Sequence, residues 1–265
     1  LKYDALLRNT NWSEQVAIAD FDFENEVLPF LQSWQINDSD LTADLKNVLC
    51  VPQYLRLFEL IANKVSVEKI NTSFQLQETV IEEVIRKDNQ LGESALDTLQ
   101  KMASYCVTNR SQDMPKLRFS NQSVLPRLIS QDILQDRQDK IAFTHQTLLD
   151  ALMIRDAISN NQSLESFTLS FPPLPYIRPF VRSYFFYLRA HIPEQFFKQV
   201  REFLSNENVA YHLKRLVVES LAEIIPEDKD WGLLRWLFNS QPDLFRRFFW
   251  RTQNSIWFTV FIEKW

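Results

Sequence analysis

Two glycines, Gly92 and Gly232, in a chain of 265 residues narrow what this sequence can build. Hairpin turns, bulges and phosphate-cradling loops draw on glycine because it enters positive φ without a steric penalty. With 11 prolines falling mostly between periodic segments, the composition favours long helices joined by short connections. It also excludes one common catalytic device. A Walker A loop wraps phosphates with the backbone N–H groups of several glycines and then supplies Lys and Ser or Thr, and no such run is present. The chain should not hydrolyse ATP by itself.

The hydrophobic fraction of 45% and charged fraction of 24% are those of an ordinary globular protein, and the length permits two or three domains with cores of their own. A net charge of −5 and a pI near 5.4 oppose non-specific nucleic-acid binding, which works by neutralising phosphates. Cys50 and Cys106 stand alone inside apolar helical patterns, so buried thiols in a reducing compartment are expected rather than a disulfide. His145, His191 and His212 are dispersed and suggest no metal cluster. Charges interrupt every long apolar run, which leaves no visible signal peptide or membrane span and makes the cytoplasm the expected location.

The most structured motif is IAFTHQTLLDALMIRDA, residues 141–157. Ile141 and Phe143 alternate with Ala142 and Thr144, the period of a half-buried strand. Thr144 is placed to cap the helix that follows. Leu148, Leu149, Leu152, Met153 and Ala157 then make one apolar helical face. His145 sits at the junction, where unpaired N–H groups and the positive end of the helix dipole favour an anion. The plainer reading is a histidine that seals a helix start.

Upstream, residues 20–64 contain FDFENEVLPFLQSW and then DLTADLKNVLCVPQYLRLFELIANK. The first part reads as a helix with Val27, Leu28, Phe30 and Leu31 on one side. The second reads as two helices broken at Pro52, which lacks an N–H and biases Val51 away from helix. Leu55, Phe58, Leu60 and Ile61 restore the apolar face beyond the break. Pro52 by itself is explained equally by a proline starting a core helix. Asp20, Asp22, Glu24 and Glu26 alternate with Phe21 and Phe23, and a solvated helix start accounts for them better than a carboxylate site.

Taken in this order, the proline break and the aromatic–spacer–histidine opening of a helix resemble NACHT-type ATPases of the STAND class, the nucleotide-switched signalling ATPases. The resemblance covers roughly residues 15–160. It implies a mainly α chain: a remnant of the ATPase core over 1–19, a helical domain over 20–66, a winged-helix domain over 67–160, and the start of a HEAT-like α-solenoid over 161–265. In that family the proline of the break lies against adenine and the histidine reaches the β-phosphate of ADP, which makes Pro52 and His145 the positions carried over. ADP or ATP, with Mg, is then the cofactor of the full-length protein, and none is expected for this chain alone. The resemblance further implies a missing N-terminal ATPase core as partner, homo-oligomerisation on activation, a protein ligand for the helical repeats and, in bacteria, a role in antiviral defence.

Within residues 67–160, Leu76, Val80, Ile81, Val84 and Ile85 form one helical stripe. Ala95, Leu96, Leu99, Met102 and Ala103 form a second, and residues 123–134 a third with Leu125, Leu128, Ile129 and Leu134. Residues 135–140, QDRQDK, read as the solvated tip of a wing. DNA-reading winged helices carry several cations on the third helix and wing. Here the helix has Arg127 alone, and Arg137 and Lys140 are offset by Asp136 and Asp139, so specific nucleic-acid binding is not expected.

Beyond residue 160 the composition changes: fourteen of the 21 phenylalanines and five of the seven tryptophans lie there. Helical stretches are expected over 177–190, 194–204, 209–225, 231–238 and from 243 onward. Pro193-Glu194, Leu204 and Asn206 have counterparts in Pro226-Glu227, Leu237 and Asn239, a faint repeat suited to a solenoid. The run LFRRFFWRTQNSIWFTVFIEKW is too apolar to stay uncovered on a monomer. Further helices or a partner should cover it, and membrane attachment through Arg246, Arg247 and Arg251 is the lesser alternative. A non-enzymatic helical-repeat scaffold that binds protein partners without nucleotide is the rival reading of the whole chain. A winged-helix transcription regulator comes third.

Overall fold

The computed structural model describes residues 20–65, 67, 70, 72–252 and 255–264. The strand expected near Gln15, Val16, Ala17 and Ile18 lies outside the described residues. The fold is mainly α, and a single three-stranded sheet interrupts the helices among the described residues. The chain divides into two compact units, Leu1–Leu76 and Gln77–Trp265.

The first unit opens on Asp22, whose carboxylate accepts the Asn25 N–H at 2.8 Å while Glu26 accepts the Asp22 N–H at 2.7 Å. The acidic run is therefore a solvated cap, in keeping with its spacing. A π-helical turn, Phe23–Val27, leads into α1, Leu28–Gln32. Thr42 caps α2, Ala43–Leu49, through the Leu45 N–H, and Pro52 opens α3, Pro52–Glu59. Val51 takes an extended backbone, φ −83° and ψ 118°, because the proline ring disfavours helix at the residue before it. Val27, Leu31, Leu45, Leu49, Leu57, Phe58 and Ile61 are fully buried and form the core. Leu57 joins this core unexpectedly, while Leu55 and Leu60 are only half-buried.

The second unit begins within α4, Ser73–Val80, which continues as a π-helical segment, Ile81–Arg86. Then come α5, Gly92–Asn109, β1, Asp113–Pro115, and a short 3-10 turn, Lys116–Phe119. Next are α6, Leu125–Ser130, β2, Leu134–Arg137, β3, Lys140–Phe143, and α7, Gln146–Ser159. The strands are antiparallel in the order β1–β3–β2, with Met114 and Asp136 both opposite Ile141. Three expectations are corrected here. Because β3 is the central strand, Ile141, Ala142 and Phe143 are all buried and the half-buried alternation does not hold. The third helix ends at Ser130, and Leu134 belongs to β2. The wing strands take up most of the expected tip, whose turn is only Gln138 and Asp139, with Gln138 at φ 62°.

The helices continue as α8, Leu164–Leu169, α9, Arg178–His191, and α10, Pro193–Ser205. After them come α11, Tyr211–Glu223, α12, Asp230–Ser240, α13, Pro242–Arg251, and α14, Ser255–Lys264. Helix α9 packs on α7, α8, α10 and α11, and α13 packs on α11 and α12. The compact unit thus runs unbroken through residue 160. Pro193 opens α10, whereas Pro226 lies in a loop ahead of α12, so the residue matches noted above do not occupy equivalent places. A different pair of junctions does correspond. Ile192 (φ −133°, ψ 55°) and Gln241 (φ −140°, ψ 62°) each join two helices as a single hinge residue before a proline.

The two glycines differ in need. Gly92 holds φ +58°, a conformation that strains any side chain. Gly232 lies in α12, and a Cβ there would meet only the Arg201 guanidinium, at 3.9 Å. Gly232→Ala should therefore raise stability by about 0.5–1 kcal/mol through helix propensity, read as a higher denaturant midpoint at unchanged slope. A loss of stability would mean that the Arg201 contact to the Gly232 carbonyl, 2.9 Å, had been disturbed.

Candidate functional site

Pro52 is built into a cleft of the first unit. The Phe21 N–H donates to the Cys50 carbonyl at 2.7 Å, which holds Phe21 alongside the break between α2 and α3. Phe21, Phe30, Pro52 and Leu55 line the cleft together with Glu26, Arg56 and Glu59, and it is open, with a volume of about 340 Å³. Arg56 is ion-paired with Glu59, and Glu26 is engaged in the helix cap. What remains open is a mainly apolar cleft lined by two aromatic rings, a proline ring and a leucine. Such a lining suits a planar heterocycle, since small-ligand sites are typically apolar clefts with few polar groups.

His145 is the N-cap residue of α7, with an extended backbone at φ −118° and ψ 113°, and its side chain makes no cap bond. Thr144 sits one position too early to cap. Its N–H instead donates to the Ile133 carbonyl at 3.0 Å, extending the strand pairing by one residue. The imidazole is buried, 8% exposed. Pro52 belongs to the first unit and His145 to the second, and each stands as a feature of its own unit.

Helix α7 departs further from expectation. Thr147, Leu148, Leu149, Asp150, Ala151, Leu152, Met153, Ile154 and Ala157 are all buried, so the helix is covered nearly all round instead of along one stripe. Packing against α5, α9 and β3 explains this. Asp150 is 8% exposed, and its Oδ1, like the Oγ1 atoms of Thr144 and Thr147, has no hydrogen-bond partner among the described residues. Burial raises the Asp150 carboxyl to about 7. Sequence reasoning misses this acid, although its one signal is in plain sight: a single carboxylate inside the run LLDALMI.

On the third helix and wing, Arg127 and Arg137 are ion-paired, as is the neighbouring Lys116, whereas Lys140 makes no ion pair among the described residues. Arg127 reaches Asp88 at 3.2 Å, Arg137 reaches Asp113 at 2.8 Å, and Lys116 pairs with Asp136. Both cysteines are free, and burial first, then Asp113, raises the Cys106 thiol to about 11. Among the described residues no cluster of three or more His, Cys, Asp or Glu could hold a metal, and no helix is long and apolar enough to cross a membrane. Comparison with protein-family models, with curated proteins and with solved structures gives no significant match.

Proposed function

We propose that this chain is the regulatory, nucleotide-reading part of a STAND-class ATPase of the NACHT type. In this reading residues 20–66 are the helical domain, 67–160 the winged helix and 161–265 the opening of a helical-repeat sensor. The observation that supports it is the cleft at Pro52: the proline singled out by the resemblance lines a mainly apolar cleft of about 340 Å³ together with Phe21, Phe30 and Leu55. Adenine would enter that cleft, and His145 would meet the β-phosphate of ADP supplied by an ATPase core. The burial of His145 bears on the second half of the reading, because a ring 8% exposed meets a ligand only after its cover moves. Such a contact differs between two arrangements, and a ligand shifts a conformational equilibrium only through a difference of that kind.

The test uses adenosine and the chain itself. Adenosine should shift the amide resonances of Phe21, Phe30 and Leu55 with a dissociation constant of about 1 mM, equivalent to about 4 kcal/mol. Leu55→Glu, which puts a charge into the cleft lining, should weaken binding at least tenfold while the fold is retained. Absence of any shift at saturating adenosine would remove the nucleotide reading.

One observation favours the rival scaffold reading. On α13 and α14, Phe248 and Trp257 are buried against each other at 5.1 Å, yet Trp250 is 83% and Ile262 85% exposed, with Phe249 and Phe258 beside them. Exposed aromatic surface of this kind marks an interaction face, and a protein partner would cover it. Under that reading adenosine leaves the spectrum unchanged.

A further inference from the structure

A second cleft, independent of the proposed nucleotide cleft, lies wholly within the second unit and has a volume of about 540 Å³. Helix α5 is apolar on the side of Leu99, Met102, Ala103, Cys106 and Val107, which are buried. Its opposite face carries Lys101, Ser104, Tyr105 and Thr108, spaced i, i+3, i+4 and i+7 so that all four share one side. The 3-10 turn after β1 closes over that face and brings Arg118 and Phe119 to it. Tyr105 and Phe119 meet edge to face at 6.1 Å, and the Arg118 guanidinium lies 4.7 Å from the centre of the Tyr105 ring.

In a chain of net charge −5, several cations of this unit sit on carboxylates, as at Arg127–Asp88, Arg137–Asp113 and Lys116–Asp136, while others such as Lys140 and Arg247 make no ion pair among the described residues. No Asp or Glu lines this cleft, and among the described residues neither Lys101 nor Arg118 makes an ion pair. A guanidinium held against the Tyr105 ring still has N–H groups to offer an acceptor, and arginine takes phosphate through such groups. Nearby, the Gln100 Nε2, itself buried, has no hydrogen-bond partner among the described residues. Two cations without ion pairs, the Ser104 and Thr108 hydroxyls, the Gln100 amide and two aromatic rings line one space.

We propose that this cleft is a binding site for a small phosphorylated compound that carries a ring. Lys101 and Arg118 hold the phosphate, Ser104 and Gln100 supply further donors, and the Tyr105–Phe119 pair receives the ring. The volume falls in the range of small-ligand sites.

Calorimetric titration of the chain tests this with three probes: phenyl phosphate, inorganic phosphate and phenol. Phenyl phosphate is expected to bind at one saturable site, at least about tenfold tighter than either half alone, since charge-assisted bonds and ring contact act together. Arg118→Gln and Lys101→Gln should each weaken it about tenfold with unchanged thermal melting, and Arg247→Gln on α13 should have no effect. Unsaturable heats overturn the proposal, as does binding indifferent to both substitutions in the cleft. Displacement of the probe by a DNA duplex, steeply dependent on salt, also overturns it by assigning the two cations to a nucleic-acid backbone.

Discussion

Asp230→Ala is expected to lower the unfolding free energy by about 3–5 kcal/mol, the range for breaking a buried ion pair by removing one partner. Asp230, at the start of α12, has no solvent exposure. Its Oδ1 accepts from Arg189 Nη1 at 2.6 Å, and its Oδ2 accepts from Arg189 Nη2 at 2.7 Å and from the Glu227 backbone N–H at 2.7 Å. Arg189, near the end of α9, is 11% exposed and lies over the Phe196 and Phe197 rings of α10 at 5.3 and 6.0 Å. One residue thus ties three helices. Removing the carboxylate leaves the guanidinium, among the described residues, with the exposed Glu227 at 3.0 Å as its remaining counter-charge. Arg189→Met should be as damaging, because it strands the buried carboxylate. The double replacement Arg189→Met with Asp230→Leu should recover most of the loss, since an apolar pair of similar volume avoids desolvating two charges. Tryptophan fluorescence in denaturant reads the right unit, as five of the seven tryptophans lie beyond residue 160. A loss below about 1 kcal/mol for Asp230→Ala would show that the pair is not holding α9 to α12.

Such pairs mark the limit of reading along the chain. The four helices expected between residues 177 and 238 are legible to within a few residues, because their apolar periodicity is a local signal, whereas the short α8 is missed and the stretch from 243 onward proves to be two helices. The Val51-Pro52 break is legible for the same reason, being a steric property of two adjacent residues. Arg189 and Asp230 are not, since nothing local links an arginine at the end of one helix to a carboxylate three helices on. The same holds for the cleft on α5: Lys101 and Tyr105 share a visible helical face, but only tertiary folding delivers Arg118 and Phe119 to it. Strand β3 fails for a further reason. Its alternation assumes one wet face, and whether a strand is central or at an edge depends on a partner distant in sequence, here Met114 of β1 opposite Ile141. Pro52 stands out as a candidate along the chain, while Phe21 and Phe30, which line the cleft with it, look there like no more than apolar residues beside a cap.

Stability should fall as pH rises from about 4 to about 7, and Asp150 should account for the fall. Its carboxyl is raised by burial alone, with no neighbouring charge contributing, from an ordinary 3.8 to about 7. Between those values the unfolded chain releases this proton and the folded chain keeps it. Unfolding is therefore progressively favoured across the window, and the loss is complete once pH exceeds the folded value. A shift of this size corresponds to roughly 4 kcal/mol at most. Asp150→Asn keeps the shape and removes the titration. His191, His212 and Glu78 titrate alike in both proteins, so the difference between variant and wild type isolates this one group. At pH 4 the two proteins should be close, with the wild type no less stable. At pH 8 the variant should be the more stable by about 1–3 kcal/mol, the full gain being reduced by a buried amide that itself lacks partners. Parallel stability curves for the two proteins from pH 4 to pH 8 would mean that the carboxylate finds water or a counter-charge when folded, and that α7 is not sealed around it.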